Sequence, residues 1–155
     1  MDCRNPTYAQ RQSLFIEQCI PQPNHNAGAI TVIQFMELFL RAGWGVTLWP
    51  QDGRADIQDE AFLKKKGIDT LSFNHSPQGF KAWWRANAHR YSHVLLSRPA
   101  VCTAFLPILR RYGSPRILFY GHDLHFARLR SEAELTGAPE LSWLSERYRK
   151  MESRI

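Results

Sequence analysis

Five short apolar runs, separated by helix-patterned stretches, constrain this chain more than any other feature. They are Leu14–Ile20 (LFIEQCI), Val46–Trp49, Asp69–Phe73, His93–Ser97 (HVLLS) and Arg116–Tyr120 (RILFY). Their centres lie roughly two dozen residues apart, and each gap has room for one helix. This rhythm predicts βαβ units with parallel strands and right-handed crossovers. Parallel strands need cover on both faces. The expected class is therefore α/β, a Rossmann-like parallel sheet with helices on both faces.

The intervening stretches have helical spacing. In Ile30–Arg41, Val32, Phe35, Met36 and Phe39 form an apolar side, Thr31, Gln34 and Arg41 a narrow polar one, and Gly43 a stop. A second helix spans about 57–66, with Asp59 and Glu60 in its first turn and Lys64, Lys65 and Lys66 in its last, complementing the helix dipole. Ser76-Pro77 opens a third as N-cap and first helical residue. It carries Trp83 and Trp84, neighbours that cannot share a face, so one belongs in the core and the other at an edge. A fourth begins at Arg98-Pro99, carries Val101, Ala104, Phe105, Ile108 and Leu109, and ends at Gly113 and Pro115.

The tail has a different pattern. A short helical piece runs to Leu135, and Gly137 and Pro139 interrupt it. Leu141, Leu144, Tyr148, Met151 and Ile155 then recur at helical spacing. The pattern is still in stride at Ile155, which predicts the front part of a longer protein. Residues 1–12 read as a lead-in, and 13–155 as one Rossmann-like domain truncated at its C-terminal end.

Composition narrows the function classes. A chain of 155 residues can bury one core. No apolar run reaches the about 18 residues of a membrane span, and no signal peptide follows the polar start. Cys3, Cys19 and Cys102 form no CxxC pair, so metal and redox motifs are missing and a reducing cytoplasm is the simplest setting. The net charge is +6, and arginine supplies most of the cations, which suits a phosphate-bearing partner. No recognised nucleic-acid module is present, so nucleic acid is not an expected partner.

In an open parallel sheet, ligands bind beyond the carboxyl ends of the strands. Three stretches would emerge there. The loop Asn24–Ala29 offers Asn24 and Asn26 as neutral hydrogen-bonding groups, Gly28 for close backbone approach, and the first turn of a helix. Arg98 directly follows the fourth strand and can pair with a phosphate. Gly121–His125 brings together His122, Asp123 and His125, which can bond hydroxyls or move a proton. The plainer roles are helix caps for the asparagines and Asp123, packing for the histidines, and a surface position for Arg98. No further ligands stand at metal spacing around the histidines, and no GxSxG nucleophile setting occurs.

Three stretches resemble the N-terminal domain of GT-B glycosyltransferases of the family-four retaining type found in bacterial polysaccharide assembly: IPQPNHNAGA (20–29), RAGWGVTLWPQD (41–52) and GHDLHFARLRSEAEL (121–135). Ser97-Arg98-Pro99 also fits. Two positions depart from the pattern: Ala29 stands where the family often has serine, and Leu129 follows Arg128 where a glutamate is common.

The resemblance implies the acceptor-side half of an enzyme that moves a sugar from a nucleotide-sugar donor to a glycan or lipid-linked acceptor. It implies no bound cofactor or metal, and no turnover without a missing C-terminal domain. His122 and Asp123 would be catalytic, and Asn26, Gly28, Ala29, Arg98 and His125 would bind substrate. Location would be cytoplasmic, with room for peripheral contact with the inner membrane. The alternative is a non-catalytic Rossmann-like module that binds a nucleotide or another anionic partner.

Overall fold

The computed structural model describes residues 11–23, 27–54, 56–71, 77–121 and 124–153. The strands are β1 (Gln12–Glu17), β2 (Gly45–Pro50), β3 (Ile68–Thr70), β4 (Tyr91–Ser97) and β5 (Arg116–Tyr120). The helices are α1 (Ala27–Arg41), α2 (Ile57–Lys65), α3 (Pro77–Asn87), α4 (Pro99–Tyr112), α5 (His125–Thr136) and α6 (Pro139–Glu152). A 3-10 turn at Ala88–Arg90 links α3 to β4.

All five strands are parallel, in the order β3-β2-β1-β4-β5. This is the α/β Rossmann-like arrangement that the alternation predicts. Alternate side chains of each strand enter opposite cores. Leu14 and Ile16 join Trp49, Val94 and Leu96 in one core, completed by Phe80 and Trp84 of α3 and Val101, Phe105 and Leu109 of α4. Phe15 joins Val46, Leu48, Ile68 and Leu95 in the other, under Val32, Ile33 and Met36 of α1 and Leu63 of α2.

The first of these cores is aromatic. Trp84 is fully buried, stacks on Phe80 at 6.0 Å between centroids and donates Nε1–H to the Leu109 carbonyl at 3.4 Å. Trp83 is only partly buried at its margin, the division expected for adjacent tryptophans. Gly113 packs tightly: a Cβ there would stand 3.1 Å from the Trp84 ring, which would have to give by a few tenths of an ångström.

Several boundaries differ from the sequence reading. β1 stops at Glu17 rather than Ile20, and α1 starts at Ala27 rather than Ile30, so Gly28 and Ala29 belong to its first turn. α2 has an N-cap that the helix reading did not single out: the Asp56 carboxylate accepts from Gln58 N at 2.7 Å. The expected Ser76 cap and the end of the third strand lie outside the described residues. The tail forms a helical hairpin in which α6 packs on α5 and α4. Gly137, in the left-handed region at φ 68°, turns the chain between the two helices. Edge strand β5 leaves Leu118 and Phe119 about two-fifths exposed. Among the described residues no helix is long and apolar enough to cross a membrane.

Candidate functional site at the strand switch point

Strand order reverses at β1: the chain runs outward through β2 and β3, then returns to pair β4 with the other side of β1. The crevice of such a sheet opens between the carboxyl ends of the two strands flanking the reversal. Here those ends are Glu17 on β1 and Ser97 on β4.

Glu17 is an acid in the interior, with its side chain 4% exposed. A carboxylate held there is stable only if its oxygens are satisfied. Oε1 accepts from Arg98 Nε at 2.9 Å and from the backbone N–H of Gln18 at 2.9 Å. Ser97 Oγ hydrogen-bonds Oε2 and also stands 3.3 Å from the Ile16 carbonyl. Three donors from two adjacent strand ends thus meet one carboxylate.

Arg98 reaches this position through an unusual backbone. It is the one non-glycine residue with positive φ among those described (φ 72°, ψ 141°). Such a conformation costs about 1–3 kcal/mol and persists only where surrounding contacts impose it. Three contacts do so: Arg98 N donates to the Tyr120 carbonyl at 3.0 Å, Nε is held by Glu17, and Pro99 enters α4 as its first residue. The side chain stays 29% exposed, and Nη1 and Nη2 carry no hydrogen bond among the described residues.

The β1–α1 loop borders the same rim. Gln22 Nε2 donates to Asp59 Oδ2 at 2.5 Å, tying the loop to α2. Cys19 is exposed there; partial desolvation raises its thiol pKa, and Asp52 and Glu17 push it further up against the pull of Arg98. It is not an activated nucleophile. Gly28 is half-buried in the first turn of α1, where helix geometry leaves the leading N–H groups to be met from outside the helix. Ala29 is 7% exposed and faces the core, so its side chain has a packing role.

The third stretch has a different arrangement. His125 opens α5, and its N–H donates to Glu152 Oε1 at 2.9 Å. Its Nδ1 stands 3.4 Å from the same oxygen, and its ring stacks on Tyr148 at 5.1 Å. At 12% side-chain exposure the imidazole is part of the α5–α6 hairpin. The N-cap position of α5 is Leu124, with no side-chain cap of its own; Glu152, from α6, serves its first N–H instead. Asn26, His122 and Asp123 lie outside the described residues. Among the described residues no three His, Cys, Asp or Glu side chains group as a metal site would require.

Topology therefore brings Gly28, Arg98 and the α5 entry to one rim, because each follows the carboxyl end of a parallel strand. Side-chain contacts join Arg98 and Ser97 through Glu17, and His125 meets Glu152 and Tyr148 of α6. Sequence reasoning missed Glu17 and Ser97. The available signal was a lone acid closing the apolar run Leu14-Phe15-Ile16, opposite a serine closing Val94-Leu95-Leu96. Compared with protein-family models, with curated proteins and with solved structures, the chain matches none.

Proposed function

We propose that this chain is the acceptor-side αβ unit of a glycosyltransferase, which moves a sugar from a nucleotide-sugar donor to a glycan or lipid-linked hydroxyl and turns over only with a second αβ unit. The observation that carries the reading is the shared rim: the β1–α1 loop, Arg98 and the α5 entry all leave carboxyl strand ends around one switch point. Loss of a diphosphate leaving group needs fixed positive charge and N–H donors where the negative charge develops. Arg98 and the first turn of α1 are groups of that kind. Asn26, His122, Asp123 and His125 are assigned to sugar hydroxyls or proton transfer by the resemblance alone. The apolar β5 edge, with Leu118 and Phe119 exposed, supports the requirement for a further unit.

The test is sugar transfer from a panel of labelled nucleotide sugars to lipid-linked and free glycan acceptors. The expected result is no turnover by the 155-residue chain alone, and turnover when a second αβ unit is supplied in cis or in trans. Turnover by the chain alone would overturn the two-unit reading. Saturable nucleotide binding with no transfer under any of these conditions favours the non-catalytic module.

A further inference from the structure

We infer that Glu17 and Arg98 form a phosphate clamp, in which Glu17 is a positioning residue and the two Nη groups of Arg98 are the binding donors. The inference shares its rim with the function proposed above, but it concerns binding and holds whether or not transfer occurs.

A guanidinium has a rigid fork of donors, which matches carboxylate or phosphoryl oxygens two at a time. A bidentate pair with Glu17 would engage at least one Nη group as well. Here Glu17 takes Nε at 2.9 Å, and among the described residues its carboxylate also accepts from Ser97 Oγ and Gln18 N. Both Nη groups are left over on a side chain that is 29% exposed. A pair built only to neutralise a buried acid has no need of this arrangement.

The backbone leads to the same conclusion. Arg98 is held at φ 72°, a region L-residues avoid, between a bond to Tyr120 O and the start of α4. A surface arginine needs no such constraint. A fixed donor pair does, because preorganisation lowers the ordering cost of binding. The Nη groups call for at least two acceptor oxygens, and a negative charge on them strengthens each bond. A phosphoryl group supplies both. It can come from a nucleotide, a lipid diphosphate or free phosphate.

The experiment titrates the full chain with inorganic pyrophosphate at constant ionic strength, following Arg98 side-chain NMR resonances and heat of binding. The expected result is saturable binding that shifts the Arg98 signals. Arg98→Lys keeps the charge and loses the fork, so it should weaken binding at least about fivefold, close to the loss in Arg98→Gln. Glu17→Leu adds positive charge to the rim. Charge alone would tighten binding, whereas loss of positioning should weaken it.

Arg111→Gln is the control. Arg111 lies at the far end of α4, roughly 20 Å along the helix from Arg98. It belongs to a second basic cluster, with Lys81, Arg85 and Arg111 at 5.6, 5.4 and 5.7 Å from the Tyr112 ring centroid. It should leave affinity unchanged. Equal losses in Arg111→Gln and Arg98→Gln, or full affinity in Arg98→Lys, would overturn the inference. If Glu17→Leu fails to fold, the lysine variant still decides. Parallel titrations with uridine diphosphate and orthophosphate assign the source: preference for the nucleotide marks a nucleotide ligand, and equal affinity for both diphosphates marks a lipid-borne or free one.

Discussion

Two glutamates in this fold each hold a basic side chain at the start of a helix, and they do different things. Glu17 stands on a central strand at the switch point, 4% exposed, and its partner Arg98 keeps both Nη groups clear of it. Glu152 stands on the last helix, 10% exposed, and accepts from the N–H of His125, whose Nδ1 lies 3.4 Å from the same oxygen and whose ring stacks on Tyr148. The first arrangement leaves binding capacity at the rim. The second closes a helical hairpin. Residue type alone does not separate them; the element opposite each carboxylate does.

The largest effect should come from Glu17→Ala. Removing one partner of a buried pair strands the other, and Ser97 Oγ and Gln18 N lose their acceptor as well. A loss of about 3–5 kcal/mol is expected in urea unfolding. Amide exchange should accelerate through β1 and β4, because both strand ends are anchored there. A loss near zero would mean that Arg98 simply relaxes into solvent, and the contrast between the two glutamates would collapse.

Glu152→Ala should cost less, about 1–3 kcal/mol, since it removes one backbone acceptor and one side-chain contact. Faster amide exchange should be confined to α5 and α6. If it spreads into β4 and β5, the hairpin is coupled to the sheet and the two regions are not independent. Tyr148→Leu should be milder still, about 0.5–1.5 kcal/mol for the lost stack on His125.

The smallest effect is a pH slope unrelated to either glutamate. His93, on β4, packs edge-on against Trp44 at 4.6 Å. Desolvation lowers its pKa, and Arg116 and Arg11 lower it further. The folded value then lies below the unfolded value of about 6.5, so the folded state binds this proton less readily. His93 contributes its stability above that pH and loses it as pH falls toward the folded value. His93→Gln should flatten the stability profile below about pH 6.5. An unchanged slope would assign it to other groups.

Much of the fold was legible because it depends on local periodicity. Apolar strand runs, the amphipathic stripe of α1, the charged ends of α2 and the break at Gly137 are patterns within a few residues of one another. The site was legible only in part. Arg98 and Gly28 could be placed at the rim because anything after a parallel strand emerges there. Glu17 looked like one acid in a mostly apolar strand, since nothing in its neighbourhood announces Ser97 and Arg98, some 80 residues away. The contacts of His125 with Glu152 and Tyr148 were not legible either, because they form only once α6 folds back.

The sequence by itself determined the class of fold, the positions of strands and helices, and the end of the sheet at which loops gather. Those follow from periodicity and chain handedness, which are local properties. Tertiary structure alone decided that β4 returns beside β1, that an acid closing one strand is held by the residues closing the other, and that the histidine opening α5 meets a carboxylate and a tyrosine of α6. Burial is the physical reason. A carboxylate withdrawn from water needs donors close by in space, and spatial neighbours exist only once the sheet is assembled.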